Sequence, residues 1–180
     1  MGHEHEIGRW RRVARVLEAE AVQLSSPTAK SAKYLELGRL WSNQLQDVAR
    51  GATYFAKAVE IDETTAEEAT NALSRLVQNS NSTEAMGILL DILSTTGRVD
   101  EFVSWTLRGL RSDTAHQEVL ERCMYAADLA LSRLENRNLS LQCLQAAQKH
   151  IGTSGDAQLI SHTARHLELW PDDDEVAIIR

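Results

Sequence analysis

The apolar residues between positions 34 and 61 recur every three or four residues, a spacing that places them on one face of an α-helix. Two sets of residues have it, first Tyr34, Leu37, Gly38 and Trp41 and then Ala52, Phe55, Ala58 and Val59. A tight turn is predicted between the two sets, near residues 44–47. Because Gly38 is small and large residues flank it, a second helix can approach closely there. The segment is therefore predicted to form a hairpin of two antiparallel helices.

The rest of the sequence also favours helices. It has only 2 prolines in 180 residues, and no stretch shows the period-two alternation of a half-buried strand. Alanine, leucine, glutamate, arginine and glutamine, which have high helix propensity, occur throughout. A chain of this length can form one domain with a substantial core, or a short array of helical repeats. We therefore predict an all-α fold of about nine antiparallel stacked helices.

Turn-forming residues between the apolar segments give the predicted boundaries. Residues 1–6 are predicted to be a disordered or artificially added start, and residues 7–180 a single helical repeat domain. The predicted elements are a cap helix at 8–24, hairpins at about 28–62, 65–96, 98–135 and 137–170, and a partial helix at 174–180.

Local signals mark three of these helix ends. Thr65 followed by Glu68 has the spacing of a capping box, in which two side chains cap a helix N-terminus reciprocally. Ser82 or Thr83 is predicted to cap the next helix, and Gly97 fits a left-handed residue at a helix C-terminus.

The apolar spacing repeats along the chain in two competing registers. A shift of 35 residues places Phe55 on Leu90, and a further 34 places Leu90 on Met124. A shift of 89 residues instead places Ala58 on Ala147. The first register makes one hairpin the repeating unit, whereas the second makes a unit of five helices used twice. We give more weight to the first, because about 34 residues is a common period for helical hairpins.

The segment at 34–61 resembles a tetratricopeptide repeat. The residues that match the family's aromatic, Leu-Gly and aromatic pattern are Tyr34, Leu37, Gly38 and Trp41, with Phe55 and Ala58 on the second helix. The spacing from Gly38 to Ala58 is one residue longer than the family's usual pattern, and the middle repeats keep only the apolar spacing. The whole chain looks most like divergent bacterial arrays of such repeats. This resemblance implies a right-handed α-solenoid whose first helices line a concave groove.

Charge and hydropathy narrow the classes of function. The formal net charge of −7 argues against a nucleic-acid partner, which usually requires a basic face. No segment approaches the roughly 20 apolar residues of a membrane span, and the N-terminus has no apolar signal core. We therefore expect a cytoplasmic protein without a membrane partner. Cys123 and Cys143 are predicted to be reduced core residues, because their spacing fits neither a metal site nor a disulfide framework.

The sequence carries no pattern that predicts catalysis, a cofactor or a metal. His162 and His166 have the i, i+4 spacing of two zinc ligands, but no acidic residue of the usual motif lies between them. The run at 172–174 is three aspartates, which we interpret as favourable charge at a helix N-terminus. We find no glycine-rich phosphate loop and no nucleophile motif. The chain is therefore predicted not to be an enzyme.

The groove implied by the resemblance is the predicted binding site. Side chains expected to face it are Leu35, Arg39, Ser42 and Asn43, then Thr70, Ser74 and Gln78, then Ser104, Arg108 and Arg111. Seven of these are the partner-binding candidates: Arg39, Ser42, Asn43, Ser74, Gln78, Arg108 and Arg111. This row is polar, and its charges are arginines on an acidic protein. Because arginine presents a planar donor fork to carboxylates, an acidic or C-terminal peptide segment is the expected ligand.

The leading hypothesis is a non-enzymatic scaffold or adaptor that binds a protein or peptide in this groove. The alternative is a helical regulatory or sensor domain excised from a larger multidomain protein. Trp105 and Trp170 would mark further protein interfaces if they are exposed. A homo-oligomer through exposed terminal helices is a further possible partnership.

Overall fold

The computed structural model describes residues 2–110 and 116–151, of which 87% are helical. The helices are α1 Gly2–Gln23, α2 Pro27–Asn43, α3 Val48–Ile61, α4 Ala66–Ser80, α5 Thr83–Thr95, α6 Val99–Arg108, α7 His116–Ser132 and α8 Arg137–Ile151, with a 3₁₀ turn at Glu63–Thr65 before α4. No strand occurs in the described residues. The predicted all-α class is therefore confirmed.

The number and bounds of the helices differ in part from the predictions. Eight helices lie in the described residues, against about nine predicted for the whole chain. The second helix of the last predicted hairpin and the partial helix at 174–180 lie outside those residues. At the other end, α1 begins at Gly2 and includes most of the segment for which we predicted a disordered start.

The chain groups into two compact units, which comprise residues 1–97 and 98–180. In the first unit α1 packs on α2, α2 pairs with α3, and α3 packs against both α4 and α5. In the second unit α6 packs on α7, and α7 pairs with α8. Each helix thus packs against neighbours along the chain, an arrangement compatible with a helical repeat.

The predicted apolar face of the α2–α3 hairpin is the centre of the first unit. Its largest members are buried: Leu37 at 0%, Phe55 at 1% and Trp41 at 9% exposure. Leu37 and Trp41 belong to a cluster with residues from α1, and the Arg50 guanidinium lies 3.9 Å above the Trp41 ring. On α1, the apolar spacing also predicts a core position for Val13, but this residue is 36% exposed.

Two glycines allow the backbones of α2 and α3 to come into close contact. A Cβ atom at Gly38 would lie 2.7 Å from Cε1 of Phe55, and one at Gly51 would lie 2.9 Å from the Gly38 carbonyl oxygen. Real Cβ atoms do not approach other atoms so closely, so the ring and the backbone occupy the space that side chains would take. The close approach predicted for Gly38 is therefore confirmed.

Helix caps follow the sequence signals except at α4. The Ser82 hydroxyl accepts a hydrogen bond from the Ala85 amide at 3.1 Å, and Gly97 has a φ of +70°, both as predicted. Thr65 makes no capping hydrogen bond with its side chain. Asp62 instead accepts from the Thr64 amide at 3.1 Å and caps the 3₁₀ turn. The predicted capping box is therefore wrong, because the turn begins three residues before α4.

The turn between α2 and α3 recurs between α7 and α8, 89 residues further along the sequence. Gln46 and Glu135 occupy equivalent places and have φ angles of 54° and 51°. Each is followed by a capping residue, Asp47 or Asn136, whose side chain accepts a hydrogen bond at 3.0 Å from the amide three residues on. The backbone amides of Asp47 and Asn136 donate at 2.9 Å to equivalent carbonyls, those of Trp41 and Ala130.

This recurrence decides between the two registers for these helices. A shift of 89 residues superposes the end of α2 on that of α7 and the start of α3 on that of α8. A shift of 35 aligns the start of α3 with that of α5, but a shorter connection of different geometry joins α4 to α5. The 89-residue register, to which we gave less weight, therefore describes the relation between the α2–α3 and α7–α8 hairpins better. In that register α6 occupies the place of α1, ahead of a hairpin.

Different side chains fill the equivalent places of the two hairpins. Gly38 and the Phe55 ring of the first correspond to Ala127 and Leu144 of the second, and all four are buried. The second hairpin thus combines a larger residue on its first helix with a smaller one on its second. Gly51 corresponds to Ser140, whose hydroxyl donates a 2.8 Å hydrogen bond to the Ala127 carbonyl.

The first prediction concerns the close approach at Gly38. In G38A the added methyl group would overlap the Phe55 ring, which is fully buried. We expect the free energy of unfolding to fall by about 1–3 kcal/mol, because overpacking forces the ring or the helices to move. The better helix propensity of alanine offsets up to roughly 1 kcal/mol of this loss. Chemical denaturation followed by circular dichroism measures the difference.

The second hairpin suggests a substitution that should rescue G38A, and α5 provides a glycine for a control. Adding F55L to G38A reproduces the Ala127 and Leu144 combination, so the cost of G38A should shrink by at least about 1 kcal/mol in the F55L background. A Cβ atom at Gly87 meets nothing within 4 Å, so G87A should stabilise the chain by roughly 0.5–1 kcal/mol. Strictly additive effects of G38A and F55L would contradict the assignment.

Candidate functional site

A polar depression lies on the surface of the first unit between α2 and α4. We call it the α2–α4 depression. Its volume is about 460 Å³, and it is open to solvent on one side. Its lining residues are Arg39 of α2, Thr64 of the 3₁₀ turn, and Glu67, Glu68, Asn71, Ala72 and Arg75 of α4. Since α2 and α4 are the first helices of their hairpins, the depression lies where the predicted groove would begin.

The amphipathic pattern of α4 explains which residues face the depression. Ala69, Thr70, Leu73 and Val77 are the buried residues of the helix after its first position. This leaves Glu67, Asn71 and Arg75, which are spaced by four, on a common exposed face. The depression is therefore lined by one side of a helix whose opposite side is in the core.

An ion pair joins the two helices at this site. The Arg39 guanidinium contacts the Glu68 carboxylate, and the two side chains are 53% and 50% exposed. A pair exposed to this degree contributes about 0–1 kcal/mol to folding. Its consequence for the site is electrostatic, because Arg39 and Glu68 neutralise each other.

Three further polar side chains of the depression are available to a ligand. Within the described part of the chain, the side chains of Glu67, Asn71 and Arg75 make no hydrogen bond or ion pair with another residue. All three are exposed. The site therefore offers one carboxylate, one carboxamide and one guanidinium in a row along α4.

Two of the ten residues expected to face the groove lie in the core. Leu35 is 4% exposed, and Thr70 is 2% exposed and donates to the Glu67 carbonyl at 3.0 Å. Neither side chain is available to a ligand. The expectation for Leu35 and Thr70 is therefore wrong, because both belong to the buried faces of their helices.

The partner-binding candidates are distributed over several surfaces. Arg39 lines the depression, whereas Ser42 faces α3 and donates to the Gly38 carbonyl at 2.8 Å. Asn43 and Gln78 are exposed and Ser74 is half-buried, and none of the three lines the depression.

The remaining residues of the row belong to the second unit. On α6, Ser104 and Arg108 are exposed, and the Arg108 guanidinium lies 5.8 Å from the centre of the half-buried Trp105 ring. Arg111 lies outside the described residues, as do His162, His166, Trp170 and the aspartates at 172–174.

The observed site differs from the predicted row of residues because α4 is rotated about its axis relative to the prediction. The apolar spacing of α4 predicts that Ala72 and Leu76 face the core, but both are half-buried, and Thr70 and Val77 are buried in their place. The inward face is thus turned by less than one residue position, roughly 65°. The exposed face turns with it, which brings Asn71 and Arg75 to the depression. The spacing of Glu67, Asn71 and Arg75 was the sequence signal for this face.

Burial raises the pKa values of two thiols and one phenol outside the depression. Burial raises the pKa of the Cys123 thiol to about 11 and that of the Cys143 thiol to about 12, with a further contribution to Cys143 from Cys123. Burial and a hydrogen bond to Glu18 raise the pKa of Tyr54 to about 12. In the described residues, no group of three or more histidine, cysteine, aspartate or glutamate side chains is placed to hold a metal ion.

The comparisons with known proteins add no relative. The sequence matches no protein-family model and no curated protein. None of the helices in the described residues is both long and apolar enough to cross a membrane.

The burial of the two thiols leads to a prediction about their reactivity. Cys123 and Cys143 are both 0% exposed, and their raised pKa values leave very little thiolate near neutral pH. We expect a maleimide to label the native protein at least about 100-fold more slowly than the protein in denaturant, since only the exposed thiolate reacts. Mass spectrometry at timed intervals measures both rates.

The control for this experiment is S132C, which adds a thiol at an exposed position on α7. It should be labelled once, quickly, in the native protein. Fast labelling of Cys123 or Cys143 in the unaltered chain would contradict the burial assignment.

Proposed function

We propose that this chain is a non-enzymatic peptide-binding module of the tetratricopeptide type, and that the α2–α4 depression is its binding site. The single observation that carries the proposal is the row of exposed, unpaired polar side chains of Glu67, Asn71 and Arg75 beside Arg39. Stacked hairpins of a right-handed solenoid would place the first helices of successive repeats side by side, which is the relation of α2 to α4.

The chemistry of the depression supports a peptide ligand. A peptide backbone offers alternating carbonyl acceptors and amide donors, and the Asn71 carboxamide has both complementary groups. Arg75 presents an unpaired guanidinium group that suits a carboxylate, and Arg39 neutralises Glu68 beside it. A preformed helical surface also binds without a large ordering cost in the receptor.

A role as scaffold or adaptor follows from such binding. The alternative, a regulatory or sensor domain of a larger protein, would use the same depression and differ only in what the peptide controls. No observation in the described residues favours it, so it stays a prediction.

Neutralising the two arginines tests the proposal. Peptides that bind the unaltered chain are first selected from a displayed random library and then titrated by fluorescence polarisation. We expect R39Q combined with R75Q to weaken binding of the selected peptides by about tenfold or more, because the charge-assisted hydrogen bond from Arg75 is lost and Glu68 is left as an unpaired negative charge beside the ligand's carboxylate. The helical melt should change little, since both side chains are exposed.

The matched control is R12Q combined with R15Q. These arginines are exposed on α1 and do not line the depression, and the substitution changes the net charge equally. It should leave binding within about twofold. A library that yields no binder, or equal losses in the two double variants, would overturn the proposal.

A further inference from the structure

The free charges of the α2–α4 depression have opposite signs and lie at opposite ends of it. Glu67 is in the first turn of α4, and Arg75 is two turns further along the same face. Because a helix rises about 1.5 Å per residue, their Cα atoms are roughly 12 Å apart along the helix axis. Asn71 lies midway between them and is uncharged.

The ion pair between Arg39 and Glu68 leaves the separated charges of Glu67 and Arg75 unbalanced by any other charge in the depression. Each of the two would otherwise add a charge to the site, and together they contribute none. The unbalanced field in the depression therefore comes from Glu67 at one end and Arg75 at the other. A ligand with acidic groups alone would gain at Arg75 and be repelled at Glu67.

The distance between the two charges suits a particular spacing in an extended peptide. An extended chain rises about 3.3 Å per residue, so roughly 12 Å corresponds to between three and four residues. Side chains alternate between the two faces of an extended chain, so residues i and i+4 point the same way whereas i and i+3 do not. The spacing that satisfies both conditions is i, i+4.

We propose that the α2–α4 depression selects an extended peptide with a basic residue and an acidic residue four positions apart, the basic side chain on Glu67 and the acidic one on Arg75. This inference rests on the proposed peptide-binding function and names its ligand class. It replaces the purely acidic or C-terminal segment expected from the arginines alone. The Asn71 carboxamide binds the backbone between the two charged side chains.

The experiment uses four blocked synthetic peptides in a serine background. Two carry lysine and glutamate separated by three serines, in the two possible chain directions. The third carries adjacent lysine and glutamate, and the fourth carries two glutamates separated by three serines. Titration of the full chain labelled with ¹⁵N, followed through the amide signals of α4, gives each dissociation constant, including weak ones.

The expected result has two parts. One of the two spaced peptides should bind at least about fivefold more tightly than its reverse, than the adjacent pair and than the acidic peptide, because only it satisfies both charges. In a variant with E67K and R75E together, the preference between the two directions should reverse. The melting temperature of that variant shows whether it is folded, and an R75Q variant, which should lose the preference without reversing it, provides a second test.

Other outcomes overturn the inference in distinguishable ways. If the acidic peptide binds as tightly as the spaced pair, or the double variant keeps the original direction, the bipolar specificity is wrong while the peptide site stands. If none of the four peptides binds but library-selected peptides do, the inference again fails alone. If neither class binds, the proposed function fails with it.

Discussion

The contact between α2 and α3 at Gly38 is the constraint on which the first unit depends. The Phe55 ring occupies the place of a side chain at Gly38, and the Gly38 carbonyl occupies the place of one at Gly51. Two helices in such contact have little freedom to rotate about their axes. Leu37 and Trp41 are thereby held towards α1, and Arg39, between them in sequence, is left on the exposed side that faces α4. The position of the candidate site thus follows from a packing contact on a neighbouring face of α2.

The second unit shows that the turn can be kept while the packing changes. Gln46 and Glu135 share an unusual backbone conformation, and the capping residues Asp47 and Asn136 make the same hydrogen bonds. The side chains between the helices nevertheless differ. Ser140, in the place of Gly51, bonds to the backbone of α7. The turn and its caps therefore set the geometry of the hairpin, and the residues between the helices need only fill its volume.

Periodicity was enough to predict the helices, because apolar residues at intervals of three and four leave little choice of structure. It located α2, α3 and the turn between them, and it identified Leu37, Trp41 and Phe55 as core residues. It could not rank the two registers. The decisive features were backbone dihedral angles and hydrogen bonds at residues 44–47 and 133–136, which apolar spacing does not encode.

The candidate site was predicted only in part, for a local reason. Arg39 was identified because the resemblance places it on the groove side of α2, and it is exposed there. Its partners on α4 were missed because the 3₁₀ turn at Glu63–Thr65 changes the rotation at which the helix begins. A 3₁₀ turn has three residues per turn instead of 3.6, so a face carried forward by counting residues arrives at the wrong angle. Glu67, Asn71 and Arg75 therefore line the site in place of the expected Thr70, Ser74 and Gln78, with the same spacing but on a different face of α4.

The failed capping box and the depression have a common origin. Had the Thr65 side chain capped α4, Glu68 would have turned back towards its amide, as the reciprocal arrangement requires. Asp62 caps the preceding turn instead, and Glu68 extends to Arg39. That pairing removes one charge of each sign from the depression and leaves Glu67 and Arg75 at its ends. The bipolar character of the site therefore depends on Asp62, and not Thr65, capping the chain before α4. Moving that cap by a few residues would change the electrostatic field in the depression without changing the helices that form it.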